Sequence, residues 1–262
     1  MGLQLKEIQR QLLLTDKKRI MSNIKNYLFT LFAFSSLLLT LSSCLKKDPE
    51  SRITQVLLVP LSPNATPCDF SINSTIYATT VGYSTTTGTI RYTFPYYTIE
   101  PKAASNIAYN VTGTPAKFAS VIKDLEEDKV YSTFLIDSIG KAKAVIVTDD
   151  LTDPAPGKVK LRFFHFSPNT VPLDVVIMGT TGNLFTGRTF NDQAITADKE
   201  RFIEIDAGTY TFLFNNASTG ATVYTTSAQS LLPDRIYTLA VRGFTGGTGT
   251  QAIGAWVYPN KP

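Results

Sequence analysis

The sequence has few of the residues on which most enzymes and metal sites depend. Among its 262 residues are two cysteines and a single histidine, His165. It contains no H-E-x-x-H, G-x-S-x-G or C-x-x-C pattern, so the usual zinc, α/β-hydrolase and thiol-redox signatures are missing. We therefore expect no enzymatic activity, no metal and no cofactor.

Charged residues are also scarce, at 18% of the chain, which disfavours long surface helices. The formal net charge of +4 does not indicate a nucleic-acid partner. Residues 1–43 hold six basic and two acidic residues, which leaves 19 of each sign in the rest of the chain. A neutral remainder exerts no long-range attraction on phosphate.

The uncharged apolar run at residues 27–41 is too short for a membrane-spanning helix, which needs about 20 residues. Its length and the preceding Lys25 are typical of a signal peptide. The run leads directly into Leu41, Ser42, Ser43 and Cys44, which resembles the lipobox of bacterial lipoproteins. We predict that residues 1–43 are a signal peptide, with residues 1–20 an upstream extension if Met21 is the initiator.

Cys44 is then predicted to carry diacylglycerol, which would anchor the chain in the outer membrane. Residues 44–52 form the tether, and their lysines and acids resemble the tether of surface-displayed Bacteroidetes lipoproteins. Surface display is therefore favoured over a periplasm-facing anchor. Cys68 is left without a cysteine to pair with, and we expect it to be a small buried residue.

An internal repeat sets the expected architecture. The pattern apolar-S-P-N-x-x-P-x-D-apolar occurs at residues 61–70 and again at 166–175. A second pair of blocks, at 128–132 and 234–238, keeps nearly the same separation. Two blocks that stay in step in this way predict a duplication. The predicted order is a first repeat at 53–150, a linker at 151–157 and a second repeat at 158–262.

Each repeat consists of short runs rich in Val, Ile, Thr, Tyr and Phe, separated by turn residues every eight to twelve positions. This spacing is typical of sandwiches and barrels. We predict an all-β protein of two tandem immunoglobulin-like β-sandwich domains. The helix-like stretch at 118–127 is expected to be a long loop or a single turn, as is the matching stretch at 222–231.

These blocks carry a resemblance to a known family. Residues 164–168 read F-H-F-S-P, followed by P-L-D-V at 172–175, A-G-T-Y at 207–210 and I-Y-T at 236–238. In these segments the sequence resembles the tandem domain-of-unknown-function 4397 family of bacterial envelope proteins. The first repeat is degenerate, with Pro60 where the second has His165. The resemblance implies an immunoglobulin-like sandwich and export, and it implies no activity, because the family has none assigned.

Several residues are candidates for structural or functional roles. His165 lies two residues from Ser167, but a hydrogen bond to its own turn is favoured over a hydrolase pair. Alternate aromatics, including Tyr92 and Phe94, are more often core than surface residues. The candidate ligand-binding residues are Tyr96 and Tyr97. Structural roles in the repeated motif are assigned to Ser62, Pro63, Asp69, Ser167, Pro168 and Asp174, the two aspartates accepting N–H groups of the preceding turn. A cation site or a solvated linker remains open for Asp149, Asp150 and Asp153.

Together these patterns favour a non-enzymatic, membrane-anchored envelope lipoprotein that acts as a surface binding or adhesion module of unknown ligand. The alternative is a glycan-binding accessory lipoprotein of an outer-membrane uptake system, in which exposed aromatics stack on sugars. The expected partners are the membrane, through Cys44, and a glycan or another envelope protein. Burial of Tyr92, Phe94 and Tyr96 would count against the alternative.

Overall fold

The computed structural model describes residues 17, 19, 21, 53–83 and 96–261, and residues 52–262 form a compact unit. The lipobox residues Leu41, Ser42, Ser43 and Cys44 lie outside the described residues, as do Tyr92 and Phe94. In the part that is described, no helix is long and apolar enough to cross a membrane.

The two described stretches from residue 53 onward are built from strands, which confirms the all-β prediction. The strands of the first half are β1 (Thr54–Pro60), β2 (Cys68–Ile72), β3 (Thr75–Val81), β4 (Tyr96–Ile99), β5 (Lys102–Val111), β6 (Lys117–Leu125), β7 (Val130–Ile136) and β8 (Lys143–Thr148). Those of the second half are β9 (Lys158–His165), β10 (Leu173–Ile177), β11 (Phe185–Arg188), β12 (Ile203–Asp206), β13 (Gly208–Tyr210), β14 (Phe212–Asn216), β15 (Thr222–Thr225), β16 (Gln229–Leu231), β17 (Ile236–Arg242) and β18 (Gly254–Lys261). Short 3-10 helices lie at Asp192–Ala194, Ala197–Glu200 and Gly249–Gln251.

The expected loop at residues 118–127 is instead mostly strand β6, and the matching stretch at 222–231 holds β15 and β16. In β6, Ala119 and Val121 face the apolar interior, while the intervening Ser120 and Ile122 are exposed. Charged residues at both ends hide this alternation in the sequence, and charge is common on strands at the edge of a sheet.

The two halves have sheets of the same order. In the first half, the first inner sheet runs β4-β1-β7-β8 and the first outer sheet runs β3-β2-β5-β6. In the second half, the second inner sheet runs β12-β9-β17-β18 and the second outer sheet runs β11-β10-β14-β15. Each inner sheet has one parallel pair at its centre, β1 with β7 and β9 with β17, and its other pairs are antiparallel.

The correspondence extends to individual hydrogen bonds between distant segments. Three such bonds recur with both partners shifted by 105 or 106 residues. They are Leu61 N to Leu135 O and Phe166 N to Val241 O; Asp128 N to Ile53 O and Asp234 N to Lys158 O; and Glu126 N to Tyr131 Oη and Leu232 N to Tyr237 Oη. Asp128 and Asp234 also share a positive φ, of 56° and 61°.

Three apolar clusters show how the sheets are stacked. One cluster lies between the two sheets of the first half and another between the two sheets of the second half. The third contains residues of both inner sheets, among them Leu57, Phe134, Phe164, Trp256 and Tyr258. The inner sheets therefore pack against each other, and the order of layers is first outer, first inner, second inner, second outer.

Burial on both faces explains the composition of the central strands. In β17, Tyr237, Leu239 and Val241 pack into the second half, while Ala240 faces the first half. Every residue of β17 is buried, including Thr238 and Arg242. Strands buried on both faces read as nearly continuous apolar runs, which is typical of the parallel pairs found here.

A buried ion pair joins the two halves at one end of the shared face. Arg162 of β9 donates from Nη2 to Asp149 Oδ1, directly after β8, at 2.6 Å, and both side chains are fully buried. Asp149 Oδ2 also accepts the hydroxyl of Ser132 at 2.6 Å. Arg162 Nε donates to Thr238 Oγ1 at 2.8 Å, so most of the polar groups in this buried region are paired.

Candidate functional site

The repeated aspartates hold the outer sheets together. Asp69 Oδ1 accepts the N–H of Thr80 and Oδ2 accepts the N–H of Gly113, both at 2.9 Å. Asp174 accepts the N–H of Gly187 at 2.7 Å and an amide proton of Asn183 at 2.7 Å. The predicted donors in the preceding turn are wrong, because both carboxylates accept their hydrogen bonds from later strands and turns.

Beside Asp69, the exposed face of the first outer sheet carries a hollow of about 590 Å³, which we call the outer-sheet pocket. Its floor consists of Ser71 on β2 and of Ala108 and Asn110 on β5, and Asn110 Nδ2 donates to Ser71 Oγ at 2.8 Å. The volume is within the range of roughly 300–1,000 Å³ that is usual for small-molecule sites.

The second half shows why this hollow exists. Ser71 pairs across the sheet with Ala108, and at the same register of the second outer sheet Val176 pairs with Leu213. The neighbouring pair, Asp69 with Asn110, has the same residue types in both halves, as Asp174 with Asn215. Two small side chains in the first half thus stand where the second half has larger apolar ones.

The lining of the pocket includes several polar side chains, and its two charged residues are of opposite sign. Hydrogen bonds from the backbone of Gly113 and Thr80 lower the pKa of Asp69, which is therefore ionised at neutral pH. Lys117 on the rim supplies one opposite charge. Asn106 also lines the pocket, and its buried Oδ1 has no hydrogen-bond partner in the part of the chain that the structure describes. A neutral ligand with several hydroxyl or amide groups matches this set of donors and acceptors.

The two predicted ligand-binding tyrosines lie elsewhere. Tyr96 is half-buried against the cluster shared by the two halves, its hydroxyl donates to the carbonyl of Asn260, and burial raises its pKa. Tyr97 is half-buried in the first half, with ring-centroid distances of 6.3 Å to Phe70 and 6.1 Å to Tyr77. The packing of Tyr96 counts against stacking on a sugar, and a ligand role for Tyr97 stays a prediction.

His165 and Ser167 do not form a pair. His165 Nε2 lies 3.2 Å from the carbonyl of Val171, within the adjoining turn, and burial lowers the pKa of the imidazole to about 4. Ser167 Oγ instead donates to the carbonyl of Gly243 at 2.7 Å and contacts Thr170 Oγ1. Bonding within the turn is the arrangement that the sequence favoured.

The S-P-N turns fasten one end of each half. The N–H of Ile139 donates to Asn64 Oδ1 and the N–H of Thr245 to Asn169 Oδ1, both at 2.9 Å. Ser62 and Ser167 are both buried, but the hydroxyl of Ser62 has no hydrogen-bond partner among the described residues. The turns that contain Pro63 and Pro168 thus join the loops after β7 and β17, which supports the structural role assigned to these motif residues.

The linker aspartates do not gather around a cation. Asp149 pairs with Arg162, whereas the more exposed Asp150 pairs with Lys160 at 3.1 Å. Within 53–83 and 96–261, no group of three or more His, Cys, Asp or Glu side chains is placed to hold a metal ion, so Asp153 does not complete such a site. The sequence allowed either a cation site or a solvated linker for these acids, and the structure does not support the cation site.

Sequence reasoning missed the outer-sheet pocket, although its signal was present. Shifting the sequence by 105 residues aligns Ser71 with Val176 and Ala108 with Leu213. Each exchange reduces side-chain volume in the first half. The meaning becomes clear only when the register shows that the two positions are cross-strand neighbours.

Comparison with known proteins identifies one domain within the chain. One DUF4397 domain, a domain of unknown function, is found at residues 54–176. No curated protein matches the chain. Among solved structures, similarity is found to a streptococcal virulence factor that binds alpha-glucan, with 13% identity, a TM-score of 0.26 and coverage of 78% of this chain and 96% of the other. A multi-modular glycogen-degrading pneumococcal virulence factor, SpuA, shows 11% identity, a TM-score of 0.24 and coverage of 79% and 22%. At such TM-scores the likeness carries no argument.

Proposed function

We propose that this DUF4397-containing chain is a non-enzymatic envelope lipoprotein, anchored in the outer membrane through Cys44, that binds a ligand in its outer-sheet pocket. The observation that carries the binding role is the replacement of Val176 and Leu213 by Ser71 and Ala108 in the equivalent sheet. The second half accommodates Leu at the position where the first half has Ala. The smaller side chain therefore leaves an unfilled volume that the packing of this sheet does not require.

We further propose that the two halves are tandem repeats that arose by duplication. The shared sheet order, the recurring hydrogen bonds and the repeated sequence blocks support this origin. After a duplication, one copy can keep its outer face filled while the other opens a binding site. The filled second half then serves as a natural reference for the first.

A glycan ligand is the specific alternative that the pocket favours. Its floor and wall offer hydroxyl and amide groups, and the single charges of Asp69 and Lys117 offset each other. Sugars are neutral and present many hydroxyl groups, so they suit such a surface. This role would place the protein beside an outer-membrane uptake system as a glycan-binding accessory.

The binding role is tested by filling the pocket with the residues of the second half. We expect the variant Ser71→Val/Ala108→Leu to lose at least tenfold in affinity for any glycan that the wild type binds on an array. It should unfold at the same urea concentration or a higher one. The matched control Val176→Ser changes the equivalent position of the second half and should bind as the wild type does. Equal glycan binding by the filled variant and the wild type, or no binding by either, would argue against the pocket as the ligand site.

The anchor is tested separately. Wild-type protein should incorporate labelled palmitate and fractionate with outer membranes, whereas Cys44→Ala should do neither. Protease treatment of intact cells then reports whether the domains face the outside. Labelling that persists in Cys44→Ala would contradict the lipoprotein assignment without affecting the pocket.

A further inference from the structure

The first inner sheet ends at β8, and the side of this strand away from β7 makes no strand-to-strand hydrogen bonds to the described residues. β8 pairs with β7 and with no other strand among the described residues. The N–H of Asp149 donates to the carbonyl of Val130 at 2.8 Å, which makes these directly opposite residues a hydrogen-bonded pair of the antiparallel ladder. Hydrogen-bonded and outward-facing residues alternate along such a ladder.

This alternation identifies the free backbone groups. Ala144, Ile146 and Thr148 direct their N–H and C=O groups away from β7, toward the open edge. No hydrogen bond within 53–83 and 96–261 occupies these six groups. An unpaired edge of this kind is a template for another strand.

The open edge forms one side of a groove of about 740 Å³, which we call the junction groove. Its apolar lining includes Val121 of β6 together with Ala144 and Ile146 of β8. A smaller hollow continues past Thr148 and shares Ala197 and Glu200 with it. The six residues of β8 span about 20 Å at roughly 3.3 Å per residue, enough to pair with five or six residues of an extended chain.

The opposite side of the groove comes from the second half and is held rigidly. This wall contains the 3-10 helices Asp192–Ala194 and Ala197–Glu200. Arg188 holds it through two parallel bonds to Asp192, at 2.7 and 2.8 Å, and a third to the carbonyl of Lys199 at 3.1 Å. A bidentate, largely buried pair of this type fixes geometry as well as charge.

Two residues of this wall, Ile195 and Gln193, have groups that a bound segment could cover or hydrogen-bond. Ile195 is 85% exposed, although it lines the groove on a rigid segment. Gln193 is buried, and its Oε1 has no hydrogen-bond partner among residues 53–83 and 96–261. Buried acceptors are rarely left unpaired, and an amide N–H entering the groove would satisfy this one.

We propose that the junction groove binds an extended segment of a partner protein, which adds to the first inner sheet as a strand beside β8. The outward groups of Ala144, Ile146 and Thr148 supply the backbone bonds. Ile195 and Ile146 contact alternate side chains of the segment, which are small and apolar. This interface is independent of the outer-sheet pocket and adds a protein partner to the proposed ligand-binding role.

Random heptapeptides displayed on phage serve as the probe for the full-length chain. The wild type should enrich peptides in which small apolar residues alternate with polar ones. A synthetic copy of an enriched peptide should lose at least tenfold in affinity when its alternate backbone nitrogens are methylated, because methylation removes the donors and keeps the side chains. Affinity that survives methylation would overturn strand addition, as would the failure of any peptide to be enriched.

Protein variants locate the site. Ile146→Pro removes one outward N–H and leaves the bonds to β7, although it also removes a side chain that packs against the first-half cluster. In variant protein that the fluorescence of Trp256 shows to be folded, we expect at least a tenfold loss of affinity. Ile195→Asp changes a surface side chain, cannot unfold the core, and should weaken binding by a similar factor. The matched control Ile122→Asp alters another exposed isoleucine outside the groove and should bind normally, as should Ala108→Leu in the outer-sheet pocket. Normal binding by Ile195→Asp would refute the groove as the site. Self-association of the wild type that Ile146→Pro abolishes would show that a second copy, and not a different protein, is the occupant.

Discussion

The ion pair between the halves gives a sharp test of how they are joined. Arg162 and Asp149 are both fully buried, and their closest atoms are 2.6 Å apart. The guanidinium also lies between two rings, 4.7 Å from the centroid of Phe164 and 4.4 Å from that of Phe202. The cation is therefore surrounded by protein groups, and Asp149 is the anion that compensates its charge.

Asp149→Ala would leave the buried guanidinium without its anion and free the hydroxyl of Ser132. Removing one partner of a buried pair costs about 3–5 kcal/mol, because the remaining charge is uncompensated. This is a large share of the roughly 5–15 kcal/mol by which typical domains are stable. We therefore expect Asp149→Ala to lower the free energy of unfolding by about 3–5 kcal/mol.

Urea unfolding can be followed by the fluorescence of Trp256, the single tryptophan, which lies in the cluster between the two inner sheets. The double variant Asp149→Leu/Arg162→Met removes both charges and should regain at least half of the loss. The control Asp150→Ala breaks a more exposed pair and should cost no more than about 1 kcal/mol. A loss below about 1 kcal/mol for Asp149→Ala, or no recovery in the double variant, would refute the reasoning.

Three further predictions concern buried or strained positions. Burial lowers the pKa of His165 from 6.5 to about 4, so the unfolded chain takes up the proton first as the pH falls. The free energy of unfolding should therefore fall by up to about 3 kcal/mol as the pH drops from 6.5 through 4. Urea unfolding of His165→Gln should lack this pH dependence, and identical pH profiles for the variant and the wild type would contradict the prediction. Burial also raises the pKa of the Cys68 thiol to about 12, which keeps the thiol protonated and unreactive. In Cys44→Ser protein, where Cys68 is the one remaining cysteine, a thiol reagent such as DTNB should label it only after unfolding. Rapid labelling of the native state would contradict this prediction. Gly243 has a φ of +82°, and a Cβ there would overlap the carbonyl of Ala252. Gly243→Ala should therefore lower the free energy of unfolding by more than the roughly 1–2 kcal/mol that a left-handed conformation alone costs. A thermal or urea melt measures this loss, and an unchanged midpoint would contradict the prediction.

The sequence predicted the strand content because its apolar periodicity and its turn residues agree. The stretch around β17 shows both what was accessible and what was not. Its two alternating sets, with Tyr237 and Leu239 on one side and Thr238 and Ala240 on the other, lack the charges of a solvated face. The pattern is therefore compatible with burial on both faces, but periodicity does not say which surface covers the second one. That information depends on contacts between residues distant in the chain.

The two proposed binding surfaces were missed for different reasons. The outer-sheet pocket arises from two small residues that are neighbours across a sheet, and the sequence does not show which residues of two strands lie opposite each other. The junction groove combines an edge strand of the first half with 3-10 helices of the second. Nothing in either segment alone marks it, because Ile195 reads as one ordinary apolar residue in a polar stretch. The buried pair of Arg162 and Asp149 is likewise visible only once the inner sheets are in contact.

The packing of the two inner sheets also bears on how the polypeptide matures. The first half can complete its own sandwich once β8 has been synthesised, but the outward side of its inner sheet then carries Leu57, Val59 and Phe134 with nothing to cover them. This apolar surface stays exposed until β9, β17 and finally β18 have left the ribosome. A ribosome stall or a truncation within this interval would leave a folded first half with an exposed apolar surface. Such an intermediate is prone to aggregate, and its exposed surface is one that a chaperone could bind.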